Sequence, residues 1–227
     1  GGASVRWPRI LVYCPMAPTT PRLYGRTVES IFGMRWPGQV DIVFGREDAP
    51  EQPGYPNILA KYSRAREMAL TGGYDALLTV EADMVVPPIT LKRLTLVEAD
   101  VAYGLYCSRH GRYQWLAYLV VQERGGTSIT VRRDLMEAAW GRVIEVQGVG
   151  LGCTLIWRRV LEQIPFRCPT IRVANDWYFA LDCVAAGVVQ KCDCGVVCGH
   201  ITQEPSPRIV WPTIDDPERH YRFEFLG

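Results

Sequence analysis

Along the first half of the chain, short apolar runs rich in β-branched residues alternate with segments whose apolar residues recur at helical intervals. The apolar runs predict buried strands at residues 9–14, 39–44, 75–80 and 101–106. The helical spacing falls at residues 23–32, 57–70 and 89–96. Strands that alternate with helices in this way are typical of an α/β fold with a mainly parallel central sheet flanked by helices.

The second half of the chain has a more mixed pattern. Its predicted elements are strands at residues 115–122 and 128–132 and helices at residues 155–164 and 177–186. The two strands are joined through Gly125-Gly126, which predicts a small antiparallel part. The segment after Ile201 carries four prolines and several aromatic residues, so we expect an arm laid over the surface.

Composition places the chain among ordinary globular proteins. Of its 227 residues, 48% are hydrophobic and 22% are charged, which is enough for one substantial core. Lys and Arg number 25 against 24 Asp and Glu, so no global basic field indicates a nucleic-acid partner. No apolar run approaches the roughly 20 residues of a membrane-spanning helix. The N-terminal Gly1-Gly2-Ala3-Ser4 lacks signal-peptide features, so we expect a cytoplasmic protein.

An acidic turn, Glu81-Ala82-Asp83, follows the strand predicted at residues 75–80. In open α/β sheets, ligands bind at the edge formed by the carboxyl ends of the strands. Two carboxylates separated by one small residue can face the same polar ligand. Their oxygens suit Mg²⁺ or Mn²⁺, which proteins often share with substrate phosphates. The three residues by themselves are also compatible with an ordinary solvated turn.

The surroundings of this turn resemble a known family. Residues 57–66 predict a helix that carries Asn57, Arg64 and Arg66. Residues 73–87 contribute the strand, the acidic turn, a hydrophobic step and a proline. In order and spacing, these segments resemble the core of family 2 and related GT-A glycosyltransferases. The resemblance implies a Rossmann-like GT-A domain that moves a sugar from a nucleotide-sugar donor to an acceptor hydroxyl.

Two later segments extend the resemblance. The glycine-rich residues 148–159 are similar to the family's acceptor-side strand and following helix. Residues 175–179 are similar to its acid-acid-aromatic segment, although Asn175 stands where the first acid is usual and leaves Asp176 as the carboxylate there. The match is loose between residues 109 and 145.

The resemblance spans residues 9–201 and implies the domain organisation. We expect a single GT-A domain over residues 1–201. Its nucleotide-binding half would cover about residues 9–106 and its acceptor half about residues 107–201. Residues 202–227 would form the C-terminal arm.

The resemblance also implies a divalent-cation site. Asp83 would bind Mn²⁺ or Mg²⁺ directly, and Glu81 would reach the cation through water or hold the donor's ribose. His200 lies in Cys198-Gly199-His200-Ile201, where many GT-A enzymes place a late histidine that completes the metal site. It would bind as neutral imidazole. The alternative for His200 is a surface or capping histidine.

The cysteines leave a second kind of metal site open. The chain has eight scattered cysteines, which in the absence of a secretion signal favours packing as small apolar side chains over disulfides. Cys192, Cys194, Cys198 and His200 form an alternative zinc set, but their spacing departs from common zinc patterns. Alternate side chains of one strand stand roughly 7 Å apart, too far to share an ion unless Gly195 supplies a turn.

Asp176 is the candidate general base. An inverting transfer needs a carboxylate that accepts the acceptor hydroxyl's proton while its oxygen attacks opposite the diphosphate. A position at the start of a helix would favour the anion of Asp176 through the helix dipole. The alternative is that Asp176 serves as an N-cap for the helix predicted from Trp177.

The resemblance assigns the donor to residues after the first two strands and on the helix before the acidic turn. Pro15 and Ala17 would run along the base and ribose, Glu47 or Asp48 would accept a hydrogen bond from the base, and Arg64 would help hold the donor. A UDP-sugar is the expected donor. The acceptor stays open among a glycan, a small molecule and a modified polymer.

Two other functions stay open. A nucleotidyltransferase has a similar nucleotide-binding half, but it normally needs a glycine-rich basic loop after the first strand, and residues 15–21 contain neither glycine nor lysine. A non-catalytic relative would bind a nucleotide-sugar or a glycan. The joint presence of Asp83, Asp176 and His200 argues against that last alternative.

Overall fold

The computed structural model describes residues 6–16, 24–46, 55–121, 128–130, 133–169, 175–203 and 205–226. The helices are α1 Gly25–Phe32, α2 Tyr55–Thr71, α3 Thr90–Leu96, α4 Arg133–Ala139, α5 Arg158–Gln163 and α6 Asn175–Ala185. The strands of the first half are β1 Ile10–Pro15, β2 Val40–Gly45, β3 Ala76–Val80, β4 Met84–Val85 and β5 Val101–Leu105. Those of the second half are β6 Tyr118–Val121, β7 Ser128–Thr130, β8 Val143–Glu145, β9 Cys153–Trp157, β10 Gln190–Val197, β11 Gly199–Thr202, β12 Arg208–Pro212 and β13 Tyr221–Phe225.

A seven-stranded sheet with the order β2-β1-β3-β9-β5-β10-β8 forms the centre of the fold. β1 pairs parallel with β2 and β3, and β5 pairs parallel with β10. β9 runs antiparallel between β3 and β5, and β8 runs antiparallel at the edge. β1, β3 and β5 are buried along their whole length, which explains their continuous apolar runs. The predicted α/β fold with a mainly parallel sheet is confirmed at this level.

The helix predicted at residues 155–164 is wrong in its first part. Cys153–Trp157 is strand β9, and only Arg158–Gln163 is helical. Residues 153–156 are buried between β3 and β5, so neither face of the strand is exposed to solvent there. A short apolar run buried on both faces has the same sequence pattern in a strand and in a helix. Pairing with two neighbouring strands decided the outcome.

The start of α2 also differs from the sequence prediction. The helix begins at Tyr55, two residues before the predicted start at residue 57, so Asn57 lies within its first turn. Asn57 is 4% exposed, and its Oδ1 has no hydrogen-bond partner.

A second sheet with the order β13-β12-β11-β4 uses the C-terminal segment. The sequence predicts an arm after Ile201, whereas the structure has two paired strands, β12 and β13, that extend the edge of β11. The indole of Trp115 donates a hydrogen bond of 2.7 Å to the carbonyl of His220. Arg26 also pairs with Glu224 of β13. The segment is therefore an integral part of this sheet.

β10 contains an irregularity at the point where the chain leaves the first sheet and enters the second. The register with β5 shifts between Asp193 and Val197. The Asp193 carboxylate, 3% exposed, accepts hydrogen bonds of 2.8 and 2.6 Å from Arg93 and one of 2.9 Å from the Gly195 amide. This fork-like pair fixes the bulge, after which β11 begins at Gly199.

Loss of Arg93 is expected to destabilise the protein because it leaves the buried Asp193 carboxylate unpaired. Removing one partner of a fully buried pair costs 3–5 kcal/mol, and the partial exposure of Arg93 reduces the expected loss for Arg93→Ala to about 2 kcal/mol. Arg159→Ala is the matched control, since Arg159 forms a more exposed pair with Asp100 and should cost below about 1 kcal/mol. Urea unfolding measures the free energy of unfolding of both variants. Equal losses would contradict a stabilising role for the Arg93–Asp193 pair.

All eight cysteines are unbridged, and every one except Cys168 is buried. In the part of the chain that the structure describes, no helix combines the length and apolar character needed to cross a bilayer.

Candidate functional site

The acidic turn lies at the carboxyl end of β3, as the sequence predicts. The amide of Glu81 donates to the carbonyl of Gly152 at 3.0 Å, and the amide of Met84 donates to the carbonyl of Glu81 at 3.0 Å. These bonds fold the chain tightly from β3 into β4, with Asp83 between the two strands. The turn is thereby tied to the glycine-rich segment that leads into β9.

The structure brings His200 to Asp83. β11 pairs antiparallel with β4 so that His200 lies opposite Met84, and the amide of Ile201 donates to the carbonyl of Asp83 at 2.8 Å. In this register, Nε2 of His200 lies 3.3 Å from Oδ2 of Asp83. Two of the three residues predicted for the metal site, Asp83 and His200, therefore meet at one point of the sheet edge.

The orientation of His200 is fixed by its other ring nitrogen. Nδ1 lies 2.7 Å from the carbonyl oxygen of Cys107, which can only accept, so Nδ1 carries the proton. The edge-to-face contact with Tyr106, at 5.5 Å between ring centroids, holds the ring plane. The His200 side chain is 8% exposed, and its Nε2 faces Asp83.

Opposite charges at this point shift both pKa values. Burial alone would raise the pKa of Asp83, but the charge and hydrogen bond of His200 and the charge of Arg109 outweigh burial and lower it. Burial alone would lower the pKa of His200, yet the Asp83 carboxylate raises it. Arg109 also contacts Oδ2 of Asp83 directly. His200 and Arg109 together therefore favour the anionic form of Asp83.

Glu81 faces a different environment from Asp83. Its Oε1 accepts a hydrogen bond of 3.0 Å from the hydroxyl of Tyr62 on α2. Burial, followed by repulsion from Asp83 and Asp176, raises the pKa of Glu81 to about 7. The neighbouring carboxylates thus add to the effect of burial on Glu81.

Asp176 lies in the first turn of α6, which begins at Asn175, earlier than the predicted start at Trp177. Its Oδ1 accepts a hydrogen bond of 2.8 Å from the amide of Trp177. Burial raises the pKa of Asp176 despite that bond. A Cβ added to Gly150 would lie 3.5 Å from Oδ2 of Asp176, so the glycine-rich segment runs beside this carboxylate.

Gly150 and Gly152 make room for Tyr106 beneath the site. The amide of Gly152 donates to the Tyr106 hydroxyl at 3.2 Å. A Cβ on Gly152 would lie 2.8 Å from Cζ of Tyr106, and a Cβ on Gly150 would overlap the hydroxyl oxygen. Gly150 also has φ +153, which side chains rarely adopt. The glycines are therefore needed for close packing, and Tyr106 supports both His200 and this segment.

Gly150→Ala is expected to lower the free energy of unfolding by about 2–4 kcal/mol, because backbone strain and overlap with Tyr106 act together. Gly73→Ala separates the cost of backbone strain from the cost of steric overlap. Gly73 has φ +69 with open space around a Cβ, so strain alone should cost about 1 kcal/mol. Urea unfolding of both variants tests this difference, and a Gly150→Ala loss no larger than that of Gly73→Ala would contradict it.

The predicted donor residues are placed unevenly. Pro15 ends β1 at the same sheet edge as the acidic turn, and Arg64 is exposed on α2. Arg66 instead donates to the carbonyl of Leu161 at 2.6 Å, which joins α2 to α5. Ala17, Glu47 and Asp48 lie outside the described residues.

Sequence reasoning missed several residues of the site. Tyr62 is visible only as a buried position of its helix, Tyr106 only as the end of a strand, and Arg109 falls in the loosely matched segment. Tyr118, on β6, packs against Trp177 next to Asp176 at 6.1 Å between ring centroids. No local motif distinguishes these residues, because long-range pairing brings them to the site.

The donor atoms of Asp83 and His200 fit a divalent cation. A cation about 2.0–2.2 Å from each of two neighbouring ligand atoms would hold them about 3 Å apart, close to the 3.3 Å observed. Among the described residues no three His, Cys, Asp or Glu side chains form a metal-binding group. The cysteines and His200 therefore do not assemble the alternative zinc set, and Glu81 does not join Asp83 and His200 as a third direct ligand. The pair suits a cation that takes its remaining ligands from substrate phosphates and water.

Two solved structures have folds similar to this one, whereas sequence comparisons find no match. No protein-family model matches the chain, and no curated protein matches it in sequence. The crystal structure of A197 from STIV matches with a TM-score of 0.60 and 18% identity, over 96% of this chain and 95% of that one. The mannosyltransferase PcManGT from Pyrobaculum calidifontis, solved in complex with GDP-Man and Mn²⁺, matches with a TM-score of 0.53 and 14% identity. This second match covers 89% of this chain and 59% of the mannosyltransferase. The likeness shows a GT-A-like fold.

Proposed function

We propose that this protein is a metal-dependent glycosyltransferase that moves a sugar from a nucleotide-sugar donor to an acceptor hydroxyl with inversion. The observation that carries the proposal is the convergence of Asp83 and His200, 3.3 Å apart, at the carboxyl edge of the sheet. The fold adds support, because a mannosyltransferase of similar fold was solved with GDP-Man and Mn²⁺. The sequence favours a UDP-sugar and the structural likeness a GDP-sugar, so both belong in the test.

Asp83 and His200 would hold Mn²⁺ or Mg²⁺, with Glu81 reaching it through water. When bound, the cation offsets negative charge on the leaving diphosphate. Burial raises the pKa of Glu81 most, and repulsion from Asp83 and Asp176 raises it further; a divalent cation would offset that repulsion, which supports this assignment. Pro15 and Arg64, with Ala17 and Glu47 or Asp48, would bind the donor.

Asp176 would accept the proton of the acceptor hydroxyl. The acceptor oxygen forms a bond to the anomeric carbon while the bond from that carbon to the diphosphate breaks, and the nucleoside diphosphate leaves with the bonding electron pair. Burial raises the pKa of Asp176, which makes this carboxylate a stronger base than an exposed one. In this proposal, the donor binds the half at residues 9–106 and the acceptor the half at residues 107–201, with residues 202–227 packed on the domain.

Thermal unfolding with Mn²⁺ and a panel of nucleotide-sugars tests this function. A ligand that binds only the folded state raises the melting temperature, so the correct donor should do so with Mn²⁺ and not with EDTA. Incubation should then release the nucleoside diphosphate by slow hydrolysis, with water in place of the acceptor. Pyrophosphate release would favour a nucleotidyltransferase instead. Binding without any turnover, also with candidate acceptors, would favour a non-catalytic relative.

A further inference from the structure

Arg109 contacts the carboxylate that would hold the cation. Its guanidinium contacts Oδ2 of Asp83, the same oxygen that lies 3.3 Å from Nε2 of His200. The Arg109 side chain is 47% exposed, whereas that of Asp83 is 14% exposed, so the arginine reaches inward from the surface. A cation bound to Asp83 would need the space and the lone pair that Arg109 uses.

The segment that carries Arg109 is anchored to the site. Cys107 pairs with Trp115, and the amide of Ser108 donates to the carbonyl of Gln114 at 2.9 Å, which closes a turn. The carbonyl of Cys107 at its base accepts the hydrogen bond that orients His200. One turn therefore orients one candidate ligand and covers the other.

We propose that Arg109 is a donor-binding residue whose guanidinium leaves Asp83 and binds the donor's diphosphate when the cation binds. This inference rests on the proposed function. Arg109 and the cation carry like charges and cannot share one carboxylate oxygen without repulsion. A diphosphate next to the cation offers the guanidinium two oxygens in the forked geometry that arginine prefers. Because the Arg109 side chain is only half-buried, it can make this move while the turn that carries it stays in place.

The exchange couples the two ligands. While Arg109 stays on Asp83 it competes with the cation, so the cation alone binds weakly. A nucleoside diphosphate gives Arg109 another partner and removes this competition. Each ligand therefore raises the affinity of the other, by the same factor in both directions.

Isothermal titration of Arg109→Ala with Mn²⁺ alone and with Mn²⁺ plus GDP or UDP tests the exchange. Without nucleotide, the variant should bind Mn²⁺ about threefold to fivefold more tightly than the wild type, because a partly exposed competing ion pair is lost. With saturating Mn²⁺, it should bind the nucleoside diphosphate about tenfold more weakly, because a charged hydrogen bond is lost. Arg109→Lys keeps the charge but loses the forked geometry, so its affinities for Mn²⁺ and for the nucleoside diphosphate should lie between those of the wild type and Arg109→Ala.

Two controls separate this inference from the proposed function. Arg112→Ala removes an exposed arginine from the same turn and should leave both affinities unchanged. Asp83→Asn should abolish Mn²⁺ binding if the cation site is correct. Loss of Mn²⁺ binding in Asp83→Asn together with unchanged Mn²⁺ affinity in Arg109→Ala would overturn the exchange and leave the proposed function standing. Absence of Mn²⁺ binding by the wild type, with or without nucleotide, would overturn both.

Discussion

Asp83→Asn is expected to abolish Mn²⁺-dependent donor binding and donor hydrolysis. Asp83 is the predicted direct ligand, and its carboxylate lies 3.3 Å from the other predicted ligand, His200. Replacing even an outer-shell partner of a metal ligand typically costs 10–100-fold in affinity, so loss of the ligand itself should cost about 100-fold or more. Titration calorimetry with Mn²⁺ and donor measures the first effect, and release of the nucleoside diphosphate measures the second.

The control for this substitution is Glu98→Gln. Glu98 is an exposed acid just before β5, at the opposite end of the central sheet, and should leave binding and turnover unchanged. The fold of Asp83→Asn should survive, since asparagine has the same shape and Asp83 is not part of the apolar core. Unchanged affinity and turnover of Asp83→Asn with Mn²⁺ present would remove the basis of the proposed metal-dependent mechanism.

Asp176→Asn is expected to lower kcat by about 10²–10⁴-fold while donor binding stays close to that of the wild type. The substitution removes proton acceptance and keeps an oxygen for the amide of Trp177, which Asp176 bonds at 2.8 Å. The difference between turnover and binding therefore separates a general base from an N-terminal helix contact. Asp182→Asn, on the same helix but paired with Arg167 at the surface, is the matched control and should keep normal turnover.

The pH dependence of wild-type turnover gives a second test of Asp176. Burial raises the pKa of Asp176, and a base acts only when it is deprotonated. Turnover should therefore fall as the pH decreases through a value above the ordinary aspartate range. Asp176→Asn should lose this acid limb along with most of the activity. An acid limb that persists unchanged in the variant would assign the titration to another group.

The sequence predicted the elements whose signals are local. The strand at residues 75–80 and the following acidic turn lie in one contiguous segment, and both are where the pattern indicates them. Burial on both faces produces the continuous apolar runs of β1, β3 and β5, so these strands were recognisable without any knowledge of their partners. The order of strands and helices was enough to predict an α/β fold.

The elements that sequence analysis missed depend on distant pairing. The apolar pattern of β9 predicts the beginning of a helix, and only its pairing with β3 and β5 makes it a strand. The C-terminal segment reads as an arm because its prolines and aromatics obscure the strands that pair with β11. Such pairings depend on register between remote parts of the chain, which no local propensity encodes.

For the candidate site, the sequence by itself determined that a carboxylate pair follows a buried strand and that one histidine and one further aspartate accompany it. Only the tertiary structure decided which of them meet. The Arg93–Asp193 pair fixes the bulge of β10, β11 then pairs with β4, and this register sets His200 against Asp83. The turn closed by the pairing of Cys107 with Trp115 places Arg109 on that carboxylate. Ligand geometry of this kind depends on the position of strands relative to one another, whereas the residue types depend only on the chain.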